Sequence, residues 1–65
     1  MERFVRTVKT DYHAPIQVGN REIDNRFGTE YVVVKMPTGG TTGLTTSQAM
    51  DFAAALLEAV KHVEQ

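Results

Sequence analysis

A glycine- and hydroxyl-rich stretch at residues 39–47 has the residue types best suited to binding chemistry. Three glycines precede three hydroxyl residues, in the order Gly39, Gly40, Gly43, Thr45, Thr46 and Ser47. The backbone N–H groups at a helix N-terminus attract anions, and glycines let a ligand approach the backbone closely. A phosphate-loop NTPase would also need Lys immediately before the Ser or Thr, and Leu44 occupies that position. A small-anion or nucleotide site at 39–47 is therefore one hypothesis, and a flexible turn before a capped helix is the simpler interpretation.

The histidines and carboxylates do not combine into a catalytic set. His13 lies in a predicted loop, with no Ser or Cys nucleophile and matching acid to pair with. His62 lies near the end of a predicted helix, where a positive charge suits the helix dipole. Glu22 and Asp24 fall on a predicted solvated face, whereas acid–base pairs need burial to shift one pKa. We therefore expect a protein that is not an enzyme, with no catalytic residue, no cofactor and no metal.

Basic residues interleaved with aromatics suggest a second hypothesis, nucleic-acid binding. On an open sheet face, aromatic rings stack on bases while Arg and Lys meet phosphates. The candidate contacts are Arg3, Arg6, Lys9, Arg21, Arg26 and Lys35. Acidic residues are mixed among them and the net charge is −1, so no local excess of positive charge is evident. Nucleic acid is therefore an alternative partner and not the favoured one.

The length and the absence of cysteine point to an oligomer. A 65-residue chain forms one domain and buries only about 60% of its unfolded surface. Such small domains usually need disulfides, a metal or a partner chain. The absence of cysteine excludes disulfides and thiolate metal sites, and two isolated histidines do not favour a structural metal. Oligomerisation is what is left, so we expect a homodimer or larger assembly. The longest apolar run, residues 52–57, is far shorter than the roughly 20 residues of a membrane span, and we expect a cytoplasmic protein.

The last third of the chain predicts a helix over 45–64. Thr45 with Gln48 three residues later is a capping-box pattern, and the run that follows is rich in Ala and Leu. Apolar residues recur at helical spacing along one stripe: Ala49, Phe52, Ala53, Leu56, Val60 and Val63. Met50, Ala54 and Leu57 form a second apolar ridge beside it, which is a candidate for contact between subunits.

The remainder predicts β-strands. Residues 3–10 favour a partly exposed strand, and 16–18 with 21–23 favour a hairpin turning at Gly19 and Asn20. Residues 30–36 are the strongest strand, apolar on much of both faces, and 37–44 are expected to be a loop. The predicted fold is α+β, with an antiparallel sheet of three to four strands and one C-terminal helix packed on one face. Its single domain, 1–65, divides into a sheet at 3–36, a loop at 37–44 and a helix at 45–64.

This architecture predicts which sheet face is covered. The helix should pack on the face that carries Ile16, Ile23, Val32, Val34 and Met36. The opposite face, with Tyr31 and Val33, would then lack a cover within the chain. The predicted interaction residues are Tyr31, Val33, Lys35, Met50 and Leu57.

The C-terminal segment also carries a resemblance. Residues 44–49 (LTTSQA) followed by 52–59 (FAAALLEA) resemble the ends of many small uncharacterised proteins of actinobacteria and their phages. The resemblance covers about 20 residues of helix-forming composition and implies no activity. It implies a bacterial or phage accessory protein. Together with the exposed apolar surface, it favours a small non-enzymatic protein–protein interaction module that forms a homo-oligomer.

Overall fold

A computed structural model describes residues 3–11 and 14–64 of the chain, which form four strands and one helix. The elements are β1 (Val5–Val8), β2 (Ile16–Gly19), β3 (Val32–Lys35), β4 (Thr41–Leu44) and α1 (Thr46–Val63). The strands pair antiparallel in the order β1-β2-β3-β4, so neighbours in sequence are neighbours in the sheet. The predicted α+β fold with an antiparallel sheet and a C-terminal helix is confirmed.

The fourth strand comes from the segment predicted to be a loop. Pro37 and Gly39 occupy the second and fourth positions of a tight turn in which the Gly39 N–H donates to the Met36 carbonyl oxygen at 3.0 Å. Gly39 has φ of 101°, a backbone conformation that glycine adopts without strain. The turn returns the chain so that Thr41 pairs with Lys35. The prediction of a loop over 37–44 is therefore wrong beyond residue 40.

The predicted hairpin at Gly19 and Asn20 is also wrong. β2 pairs with β1 on one side and with β3 on the other, and residues 21–23 form no strand. The Asn20 side chain accepts a hydrogen bond from the Glu22 N–H at 3.0 Å. This bond closes a turn at residues 20–22, which therefore do not start a strand that pairs with β2. Two more turns follow, closed by N–H donation from Phe27 to Asp24 and from Tyr31 to Gly28. Residues 20–31 are thus a folded connection between β2 and β3.

Strand register divides the sheet into two faces, because residues directly opposite each other point to the same side. The helix-side face carries Arg6, Val8, Ile16, Val18, Val32, Val34, Thr42 and Leu44. The loop-side face carries Val5, Thr7, Gln17, Gly19, Val33, Lys35, Thr41 and Gly43.

The loop-side face is closed by the connection 20–31. Val33 stands between Gly19 and Gly43 in one row across three strands, and it is fully buried. A Cβ built on Gly43 would collide with the Phe27 ring, with Cε1 at 2.6 Å, so the ring lies directly on this glycine. Phe27 also meets Tyr31 edge to face, with ring centroids 6.3 Å apart. This face therefore holds the fully buried part of the small core, while Val34 is buried on the opposite face.

The helix begins as predicted but packs differently. Thr45 accepts from the Gln48 N–H at 3.2 Å while Gln48 accepts from the Thr45 N–H at 3.0 Å, so the capping box is formed. Within Thr46–Val63, all of which the structure describes, no residue is buried. The helix meets β4 near its start, and its later turns are exposed. The expectation that it covers the face of Val32, Val34 and Met36 is wrong beyond these first turns.

Gly43→Ala tests the closure of the loop-side face. The added methyl must displace the Phe27 ring, so we expect a loss of about 1–3 kcal/mol in the free energy of unfolding. Gly40→Ala is the matched control, because no atom lies within 4 Å of its Cβ position; its change should stay within about 0.5 kcal/mol. Urea denaturation at one fixed protein concentration measures both. Equal stability of the two variants would contradict this account of the fold.

Candidate functional site

The main exposed apolar feature has two parts, which together we call the helix-side surface. One part is the helix-side face of the sheet. The other is the helix stripe, defined by Ala49, Phe52, Ala53, Leu56, Val60 and Val63. Large apolar side chains on both parts are exposed to solvent, among them Val8 on the sheet and Leu56, Val60 and Val63 on the helix. Val63 reaches 83% exposure, whereas Val34, beneath the helix start, is only 5% exposed.

The two parts meet at an apolar cleft of about 210 Å³. Phe52 of the helix lines it on one side, and Val34, Met36, Thr42 and Leu44 of the sheet line the other. Since Phe52 belongs to the helix stripe, the stripe starts on the same side of the molecule as the helix-side face. The two parts are therefore continuous around the cleft.

The chain as a whole exposes more surface than a compact molecule of its size. The chain exposes 5287 Å². A compact folded monomer of its 7.2 kDa mass would expose about 4,100 Å². Its radius of gyration, 12.8 Å, also exceeds the roughly 10.7 Å expected for a compact domain of 65 residues. The chain thus leaves about 1,200 Å² more surface in water than a compact monomer of its mass.

The predicted interaction residues divide between the two sides of the molecule. Val33 is fully buried beside the 20–31 connection, so its assignment to an open face is wrong. Tyr31 is half-buried, and its ring packs on Phe27. Lys35 is exposed on the loop-side face. Met50 and Leu57 are exposed on the flank of the helix, as expected. The sequence-based prediction that this flank contacts a subunit is untested by the single chain, and it competes with association through the helix stripe.

The predicted nucleic-acid contacts are not gathered into one patch. Arg6 belongs to the helix-side face, where its guanidinium lies 4.3 Å from the centre of the Phe4 ring, while Lys35 belongs to the opposite face. Arg21 and Arg26 lie in the 20–31 connection, and Arg21 donates to the Asn25 carbonyl oxygen. The remaining two, Arg3 and Lys9, are exposed near the ends of β1. Phosphate backbones need a local excess of positive charge, which this distribution does not provide.

Asp24 and Arg26 form an ion pair that stabilises the second turn of the connection. The Arg26 Nε–H is 3.0 Å from both Asp24 carboxylate oxygens, and the Arg26 backbone N–H donates to Oδ1 at 3.1 Å. Hydrogen bonds from the Arg26 side chain, and then from its backbone, lower the pKa of Asp24 from 3.8 to about 2. The same contact raises the pKa of Arg26. The pair satisfies both charges locally, in the same turn that the Phe27 N–H closes on the Asp24 carbonyl oxygen.

The lowered Asp24 pKa predicts a pH dependence of stability. Because the folded-state pKa lies below the unfolded value, the pair stabilises the fold above about pH 4, and this contribution is lost as the pH falls towards 2. In Arg26→Gln the pKa of Asp24 should rise towards its ordinary value, and the difference in stability from wild type should shrink between pH 4 and 2. NMR titration of the Asp24 carboxyl carbon and urea denaturation measure these effects.

Arg21→Gln is the matched control for this titration, since Arg21 donates to a carbonyl oxygen and not to a carboxylate. It should leave the pKa of Asp24 unchanged. An Asp24 pKa that is the same in Arg26→Gln as in wild type would show that the pair is not the cause.

The helix N-terminus and the titratable residues show no convergent site. The hydrogen bonds between Thr45 and Gln48 already use two of the N–H groups that an anion would approach. Gly39 and Gly40 belong to the β3–β4 turn and Gly43 lies under Phe27, so the three glycines form no common loop. His13 lies outside the described residues. Over residues 3–11 and 14–64 no group of His, Asp or Glu is placed to hold a metal ion.

Sequence reasoning missed Phe27 and the sheet face on which it packs. The available signal was the pair of glycines, Gly19 and Gly43, that flank Val33 across the sheet. An aromatic ring commonly covers a glycine on a β-sheet, but recognising this requires the strand register. Because residues 41–44 were expected to be a loop, that register could not be drawn.

No helix in the described part of the chain is both long enough and apolar enough to cross a membrane. Comparison of the chain with protein-family models, with curated proteins and with solved structures found no match. The feature that bears most directly on function is therefore the exposed apolar helix-side surface.

Proposed function

We propose that this chain is a non-enzymatic protein–protein interaction module that works as a homo-oligomer and associates through its helix-side surface. The observation that carries the proposal is the exposure of the helix stripe together with the sheet face beside it. Large continuous apolar surfaces on small proteins mark interaction sites. The resemblance of the C-terminal segment adds a bacterial or phage accessory role to this proposal.

The composition of the surface supports burial against a protein. The helix stripe consists of apolar residues alone, and Asp51, Glu58 and Lys61 all fall outside it. On the sheet, Arg6 is the one charged member of the helix-side face as defined above, and its guanidinium is stacked on Phe4. Depletion of charge with an aromatic and Arg contribution is the composition of a protein interface core.

The small interior supports the oligomeric part of the proposal. Val33 and Val34 are the buried apolar residues of the described chain, which is a small core for a stable monomer. Burying about 1,200 Å² per copy would remove about 2,400 Å² from water in a dimer, in the range of obligate homodimers. Association would thus supply apolar burial that the isolated chain lacks.

Two adjacent leucines give a matched test of which side of the helix associates. Leu56 lies in the helix stripe and Leu57 on the Met50 flank, with exposures of 53% and 66% in the single chain. Each Leu56→Gln substitution removes the burial of one leucine, about 1.5–3 kcal/mol, and a symmetric dimer contains two. We expect the dissociation constant from sedimentation equilibrium to rise by roughly a hundredfold or more. Leu57→Gln should change it by less than about threefold.

Gln has nearly the helix propensity of Leu, so helix content should be equal in the two variants and circular dichroism verifies this. A larger effect of Leu57→Gln would move the interface to the flank with Met50. A wild-type protein that is folded and monomeric at every concentration would refute the oligomeric part of the proposal.

A further inference from the structure

The helix-side surface offers two apolar parts of complementary shape, a convex helix stripe and a flat sheet face. We infer that its occupant is a second copy of this chain, in a symmetric dimer where the helix stripe of each copy packs on the helix-side face of the other. This inference rests on the proposed function and specifies the arrangement of its contact.

In the observed conformation, the helix stripe of one chain does not cover the helix-side face of the same chain. Thr45 alone separates β4 from α1, and its capping box with Gln48 fixes the direction in which the helix leaves the sheet. Only the first turns reach the sheet of the same chain, at the cleft lined by Phe52. The later part of the stripe, with Leu56, Val60 and Val63, extends away exposed.

The dimensions of the two parts agree. From Phe52 to Val63 the stripe rises about 17 Å along the helix. Four strands span about 14 Å between the outer strand axes. The whole stripe is therefore as long as the sheet is wide, and its exposed end from Leu56 to Val63, about 10 Å long, can cross three of the four strands of another copy.

Symmetry and area favour this arrangement over the simpler pairings. A twofold axis makes the contact reciprocal, so one helix-to-sheet contact implies a second identical one. Both apolar parts of both copies are then buried, and each chain has roughly 1,200 Å² of surface beyond that of a compact monomer to contribute to such a contact. A helix–helix dimer would leave both sheet faces in water, and a sheet–sheet dimer would leave both stripes there.

Mixing two variants discriminates this arrangement from the others. In Leu56→Gln the helix half of each contact is damaged, and in Val18→Gln the sheet half is damaged. Each homodimer then has two damaged contacts, whereas the mixed dimer has one contact between an intact helix and an intact face and one contact in which both halves are damaged. Both substitutions fall in that one contact, where the second removes little that the first has not already removed, so their costs add up to less than their sum. We expect both homodimers to be weaker than the wild-type dimer, and the mixed dimer to have a dissociation constant below that of either homodimer by up to roughly a hundredfold. Native mass spectrometry with one chain isotope-labelled measures all three species.

Helix–helix pairing predicts a different result, in which Val18→Gln dimerises like wild type and the mixed dimer is intermediate. Sheet–sheet pairing predicts that Leu56→Gln dimerises like wild type. Either result overturns the reciprocal arrangement but leaves the interaction module standing. A wild-type monomer at all concentrations overturns both proposals.

Isotope-filtered NOE spectroscopy on a mixture of labelled and unlabelled wild-type chains keeps the inference testable if Val18→Gln fails to fold. We expect intermolecular methyl contacts from Leu56, Val60 and Val63 to Val8, Ile16 and Val18. Intermolecular contacts confined to helix with helix, or to sheet with sheet, would overturn the arrangement.

Discussion

The contact of the Phe27 ring with Gly43 decides which face of this sheet is closed. A four-stranded sheet with one helix has two faces, and a chain of this size has enough apolar residues to cover one of them well. Gly43 leaves room beside Val33, and the turns of the 20–31 connection bring an aromatic ring into that room. With the loop-side face filled by the connection, the helix-side face is left for α1, and in the observed chain only the first turns of α1 reach it.

How much could be predicted from sequence depended on the distance over which the determining contacts act. The helix with its Thr45–Gln48 capping box was predictable because propensity, capping and periodicity are local. β3 was also predictable, because its consecutive β-branched apolar residues favour a strand over a helix or a loop. The hairpin at Gly19 and Asn20 was predicted wrongly because Gly19 pairs in β2 while Asn20 closes a different turn.

The candidate surface could be predicted only in part, for the same reason. The exposure of Met50 and Leu57 followed from helical periodicity, but the choice between sheet faces followed from a non-local register. Val33 was placed on the open face because Phe27 was not expected to fold back onto β4. The helix stripe was expected to pack on the sheet of its own chain. In the structure it is exposed beyond its first turns, so it is the apolar surface that gains most from burial against a partner.

The central claim is that burial between copies completes this fold, and hydrogen exchange of the α1 backbone amides at two protein concentrations tests it most directly. Amides of an exposed 18-residue helix anchored only at its start should open locally at little cost, while the same amides within a dimer should open only on dissociation. The account predicts that protection across residues 52–63 rises with protein concentration. Protection that is equally strong in dilute and concentrated samples of a monomeric species would contradict it.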